Sequence, residues 1–184
     1  MDWSTYILSK EKGTIYFESR EIKDVQTGID FFCPEKTTRC LNHCLKNNFS
    51  IILIDAIHPH DKLKNRFLKI AYPSICFIDC TTHNNSEEII TKNVLFLNNS
   101  SSLTSLNMAI EKMWIKFEGK RCLFFESGSA LFIKFEKKQV FEFIHNIILR
   151  YGREGLVIFK FVNGCVDKET ERQLKYYFDV VISE

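Results

Sequence analysis

Glycine and proline are scarce: the chain holds 7 and 3 of them in 184 residues, beside 17 phenylalanines. So few turn residues exclude a loop-rich or collagen-like protein and favour regular elements joined by short connections. A dominant charge is also missing. The net charge of +2 is too small to make nucleic acid or an anionic membrane an obligatory partner. No apolar run approaches the roughly 18 residues of a membrane span. The opening MDWSTYILSKEKG lacks the charged-then-apolar layout of a secretion signal. A cytoplasmic protein without a membrane partner is therefore expected.

Cysteine is not scarce, but its pattern is uninformative. Cys33, Cys40, Cys44, Cys76, Cys80, Cys122 and Cys165 are odd in number and irregularly spaced, and several sit in apolar runs. Reduced, buried thiols fit better than a disulfide framework. Glycine-rich phosphate loops are absent too. The only Gly-Lys pair, Gly119-Lys120, is followed by Arg121, has Trp114 where the first glycine of G-x4-G-K-[ST] belongs, and precedes a strand. No G-x-G-x-x-G occurs. Without a backbone cradle for phosphates, autonomous nucleotide hydrolysis is not expected, and no cofactor is called for.

What is present is an ordinary globular composition, 45% apolar and 26% charged, in a length typical of one domain. Continuous apolar runs at Ser50–Ala56, Ile75–Asp79, Cys122–Phe125 and Leu156–Val162 suit strands covered on both faces. Shorter strands are expected at Val94–Leu97 and Asp179–Ser183, and a hairpin from Thr5–Leu8 and Thr14–Glu18. Helical patterns cover Glu35–Lys46, Lys62–Ile70, Ser102–Phe117, Val140–Tyr151 and a polar stretch that Asp167 caps. Strand and helix alternate, which implies a mainly parallel sheet with helices on both faces. One domain spanning 1–184 is expected, with about 1–33 as an N-terminal hairpin or extension.

From Ile75 to Glu184, about 110 residues, the chain resembles the KaiC-like branch of the RecA superfamily, especially its small archaeal members. The turn Ser101-Ser102-Leu103-Thr104-Ser105-Leu106 is similar to that family's S-x-L-T-x-L entry into a helix. The strand end Glu126-Ser127-Gly128-Ser129 is similar to its D-S-x-S. Phe143-Ile144-His145-Asn146-Ile147-Ile148 follows its F-x-H-x-x-I helix. The resemblance implies a RecA-like three-layer α/β domain with a mainly parallel central sheet. It also implies a degenerate Walker B nucleotide or magnesium site at Glu126, Ser127 and Ser129, with Glu126 one methylene longer than the usual aspartate. Catalytic glutamates follow an earlier strand in active members; SIILIDAI offers only Asp55 there. No catalytic residue is assigned.

Cys33, Cys40, His43 and Cys44 lie close in sequence, and Cys40 and Cys44 share a helix face, but no C-x-x-C is present and no metal is expected. His58, His60 and His83 read as solvated loop residues. The basic, aromatic-interleaved stretches Lys62–Phe67 and Lys134–Lys138 could face nucleic acid, but fit snorkelling lysines better.

The function implied by the resemblance is a non-catalytic regulatory or protein-interaction module, homo-oligomeric or bound to another protein. A nucleotide sensor or ATPase-like enzyme using Glu126, and a DNA-associated accessory protein, are the alternatives. Met108 and Ile115 on one helix, with Phe143 and Leu149 on the next, fall off the apolar stripes and are the interface candidates.

Overall fold

The computed structural model describes residues 11–19, 22–24, 28–30, 34–57, 74–81, 89–90, 93–97 and 102–182. In chain order these form β1 (Gly13–Ser19), β2 (Ile22–Asp24), β3 (Gly28–Asp30), α1 (Pro34–Lys46), β4 (Ser50–Asp55), β5 (Ile75–Asp79), β6 (Ile89–Ile90) and β7 (Val94–Phe96). There follow α2 (Leu103–Trp114), β8 (Arg121–Phe125), α3 (Gly128–Lys134), α4 (Lys137–Tyr151), β9 (Leu156–Val162), α5 (Lys168–Lys175) and β10 (Val180–Ile182).

Eight strands make one sheet in the order β10-β1-β9-β8-β4-β5-β7-β6. Every pairing is parallel except the short β6 edge, which runs antiparallel to β7. The four apolar runs are neighbours in the middle of this sheet, and β9, β8, β4 and β5 are buried almost throughout. Continuous burial is what a strand covered by helices on both faces requires. The architecture is the expected RecA-like three-layer α/β domain.

Local chemistry sets the helix ends. Pro34, whose fixed φ suits a first helical position, opens α1. Asn48, at φ 61°, takes the left-handed conformation just beyond it, and the Phe49 amide closes back on the Cys44 carbonyl at 3.0 Å. Ser102 caps α2 by accepting from the Ser105 amide at 3.1 Å, and Asp167 caps α5 by accepting from the Thr170 amide at 2.9 Å.

One expectation needs correction, and two elements that the sequence did not announce are present. Residues 13–19 are not part of an extension: β1 lies inside the sheet, parallel to β9 on one side and β10 on the other. Its apolar Ile15, Tyr16 and Phe17 are needed by the core, so a solvent-facing hairpin would strand them. The partner strand Thr5–Leu8 and the helix Lys62–Ile70 lie outside the described residues. The stretch after β8 contains a helix, α3, that its Gly-Ser start and short length concealed. Lastly, β2 and β3 pair as a small antiparallel ribbon outside the main sheet.

Period-two alternation sorts side chains to the two faces. Ile52, Ile54, Leu123, Phe125, Val157, Phe159 and Phe161 join the cluster covered by α2 and α4. Ile51, Leu53, Cys122, Phe124, Leu156 and Ile158 join the cluster covered by α1 through Cys40, Leu41 and Cys44.

A candidate site closed by a lysine

Continuing the α1-face alternation toward the carboxyl ends of the strands reaches Asp55 on β4, Asp79 on β5, Glu126 just after β8 and Lys160 on β9. Open α/β sheets bind ligands at that end. All four residues are buried. The register that pairs Ile54 with Phe125 and Phe125 with Phe159 carries one residue further, setting Glu126 between Asp55 and Lys160.

The centre of the group is an ion pair. Lys160 Nζ lies 2.6 Å from Glu126 Oε1, with side-chain exposures of 0% and 1%. Thr37, in the first turn of α1, donates its hydroxyl to Glu126 at 3.0 Å (Oε2) and 3.2 Å (Oε1), and accepts from Lys160 Nζ at 3.3 Å. Burial pushes the Glu126 carboxyl above its ordinary pKa, against the pull of the Lys160 ammonium and the Thr37 hydroxyl; the neighbouring Asp55 adds to the rise. In nucleotide hydrolases a helix-borne Ser or Thr and a strand-end carboxylate hold magnesium. Here a helix-borne threonine and a strand-end glutamate hold an ammonium.

The magnesium fit is poor with Lys160 standing among the donors. Magnesium demands near-octahedral oxygen ligands at about 2.0–2.1 Å. The oxygens of Glu126 and Thr37 are instead spaced at hydrogen-bond lengths around a cationic nitrogen, which is no ligand while protonated.

The serines that follow Glu126 serve the fold. Ser127 Oγ donates to Asp55 Oδ1 at 2.8 Å and accepts from the Ala56 amide at 2.8 Å, bridging β8 to β4. Ser129 accepts from the Val162 amide at 2.8 Å, tying α3 to the end of β9. Of the three residues expected at a degenerate Walker B site, Glu126 alone contacts a cation. Between the serines, Gly128 is so close to β9 that a Cβ there would sit 2.9 Å from the Lys160 carbonyl oxygen and 3.1 Å from the Phe161 ring.

Thr37 and Lys160 are absent from the sequence-derived candidates, yet both left signals. Lys160 is one cation inside LVIFKFV, a strand otherwise apolar, and a buried charge requires a partner. Thr37 follows Lys36 on the first helix after β1, the Lys-Thr tail of a phosphate-loop consensus whose two glycine positions are filled by Asp30 and Glu35.

The remaining candidates separate cleanly. Cys40 and Cys44 are buried and pack in one cluster with Cys122 of β8. Burial pushes the Cys122 thiol well up, as does the neighbouring Cys44, which suits an inert core group. His43 turns instead to Asn47, at 3.1 Å. Among the described residues no group of three or more His, Cys, Asp or Glu could hold a metal. Cys33, His58, His60, His83 and the Lys62–Phe67 stretch lie outside the described residues. In the other basic stretch, Lys137 pairs with Asp167 at 3.5 Å and Lys138 with Glu142 at 4.0 Å, while Phe132 and Phe135 pack on the core.

Met108, Ile115 and Leu149 are exposed, at 56%, 74% and 46%. Phe143 is not, and its place among the interface candidates is corrected: it is 7% exposed and meets the Phe125 ring edge-on at 6.0 Å. The buried stripe of α4 runs Val140, Phe143, Ile144, Ile147, Tyr151, so the helix is rolled toward Phe143 and away from Phe141 and Ile148. Glu111 and Arg150 form an ion pair linking α2 to α4, so a charge pair interrupts the exposed apolar residues. Nearby, between the start of α2 and α4, lies a cavity of about 320 Å³ lined by Leu103, Thr104, Asn107, Phe135, Gln139 and Phe143 among others. It shares no lining residue with the Glu126 group.

No family model matches the chain, and no curated protein does. Solved structures do. An uncharacterized protein from Pyrococcus horikoshii, in complex with an unknown peptide, superposes with a TM-score of 0.62 at 12% identity, over 92% of this chain and 76% of that one. A second Pyrococcus horikoshii protein gives 0.58 at 15% identity, over 98% and 86%. At these identities the likeness shows the fold. No described helix is long and apolar enough to cross a membrane.

Proposed function

We propose that this chain is a non-catalytic module of the RecA superfamily, KaiC-like in descent, whose work is regulatory or protein-binding. The observation that carries the reading is the sealed Glu126–Lys160 pair. A hydrolase needs its strand-end carboxylate to organise a cation and a phosphate; here that carboxylate is neutralised from within and shielded from water. The glycines of a phosphate cradle are replaced as well, by Asp30 and Glu35. The descent is supported by the sheet architecture, by the Lys36-Thr37 tail at the start of α1, and by Thr37 reaching the strand-end carboxylate.

A use in binding protein is supported by a neighbour of the same fold that was solved holding a peptide. It is supported further by the exposed Met108, Ile115 and Leu149 on α2 and α4, the two helices whose starts line a cavity. The partner is a second copy or a foreign protein in the cytoplasm. The purified chain is expected to release no phosphate from ATP or GTP above a buffer blank, with or without magnesium. Turnover that vanishes in Glu126→Gln would overturn the proposal in favour of an enzyme. Light scattering addresses self-association: a dimer or larger species that Leu149→Asp dissociates places the contact on α2 and α4, whereas an unchanged monomer leaves a foreign partner.

A further inference from the structure

Glu126 and Thr37 present oxygen atoms to one point at the end of the sheet, and Asp55 adds negative charge beside it. A buried pair of carboxylates on adjacent strands demands a cation. We propose that Lys160 is the permanent resident cation of this point: a tethered ammonium that fills a divalent-ion site, leaving the chain indifferent to metal while its anionic half persists. The inference rests on the non-catalytic reading and adds what took the cation's place.

The ammonium satisfies this point by itself. Nζ lies 2.6 Å from Glu126 Oε1 and 3.3 Å from the Thr37 hydroxyl, both hydrogen-bond lengths. A lysine head is a compact point charge with several donors, so one nitrogen serves Glu126 and Thr37 together. Its stem cannot easily withdraw. Phe159 and Phe161 on either side of it are locked into the opposite face of the sheet, and Gly128 of α3 lies tight against the Lys160 carbonyl. Removing the ammonium while keeping the strand would leave Glu126 and Thr37 facing one vacated volume, with the Asp55 charge close enough to act on Glu126. Carboxylate and hydroxyl oxygens are the ligands of hard divalent cations.

Lys160→Ala and Lys160→Asn test this, with Mn2+ alone as the probe and no nucleotide present. The wild-type chain is expected to show no change in melting temperature with Mn2+ and no bound-Mn2+ signal by electron paramagnetic resonance. The variants are expected to melt lower, to regain about 5 °C or more at saturating Mn2+, and to lose that gain when Glu126→Gln is added. A variant that folds only with Mn2+ present is the same result. Variants that gain nothing, or stay unfolded with Mn2+, overturn the inference. So does wild-type Mn2+ binding that Glu126→Gln abolishes. ATP turnover by the wild-type chain would defeat the functional reading instead, and is measured separately.

Discussion

The two faces of the sheet are built on different principles. The face under α2 and α4 is built mainly on aromatic rings, with Thr14 and Glu18 of β1 buried at its margin: Phe125 stacks on Phe159 with centroids 3.9 Å apart, Tyr16 on Phe161 at 4.6 Å, and Trp114 meets Tyr151 edge-on at 4.8 Å. The face under α1 starts aliphatic and thiol-rich, then ends in Asp55, Asp79, Glu126 and Lys160. Strands that need only packing would carry apolar residues to both ends on both faces. The polar end of the α1 face is therefore not explained by packing, and its buried ion pair is weak evidence for stability in itself.

Single truncations on the two faces should cost similar amounts for unlike reasons. Phe159→Ala removes a stacked core ring and is expected to lower stability by about 3–5 kcal/mol in denaturant unfolding. Lys160→Met leaves Glu126 buried without its cation, a loss of about 3–5 kcal/mol. Double substitutions split them. Lys160→Met with Glu126→Leu should recover most of the loss, because hydrophobic replacement of a buried pair is often neutral or stabilising. Phe159→Ala with Phe125→Ala should deepen it. If both doubles deepen the loss, the ionic end is a stabilising network and the contrast between the faces fails.

Gly128→Ala should cost less, about 1–3 kcal/mol, by pushing α3 off the Lys160 carbonyl and the Phe161 ring. Thermal melts read it directly, and a neutral substitution would show that α3 has room to shift. In Lys160→Met the Glu126 carboxyl also loses the ammonium that pulls its pKa down, so it should protonate at higher pH than in the wild type, as carbon-detected NMR would show. The smallest effect lies at the exposed rim. Thr170 hydrogen bonds hold the Asp167 carboxyl down at about 2. A depressed acid stabilises the fold above its unfolded pKa, near 3.8, and that contribution fades as pH falls toward 2. Asp167→Asn should cost a little stability at neutral pH, converge on the wild type as pH falls toward 2, and so flatten this limb of the pH–stability curve.

Much of the architecture was legible because it is periodic. The runs at β4, β5, β8 and β9, the stripe of α2 and the caps at Ser102 and Asp167 each announce themselves locally. β1 did not: seven residues of mixed character read equally well as a hairpin arm, and only pairing with β9 and β10 reveals a core strand. Phe143 was misplaced because a helical stripe fixes a face only to within one residue's rotation, about 100°. Glu126 was legible as a strand-end carboxylate. Its partners were not, since Thr37 and Lys160 lie 89 and 34 residues away in sequence and meet it only through the sheet order.

An ammonium occupies the point beside Glu126 where a cation would sit. A crystal structure grown with Mn2+ and a non-hydrolysable ATP analogue reads this through anomalous scattering at the manganese edge. Lys160 Nζ should still lie against Glu126, with no anomalous peak within bonding distance of that carboxylate. A manganese peak on Glu126, with Lys160 swung aside and phosphate beside it, would show that the ammonium is only a placeholder.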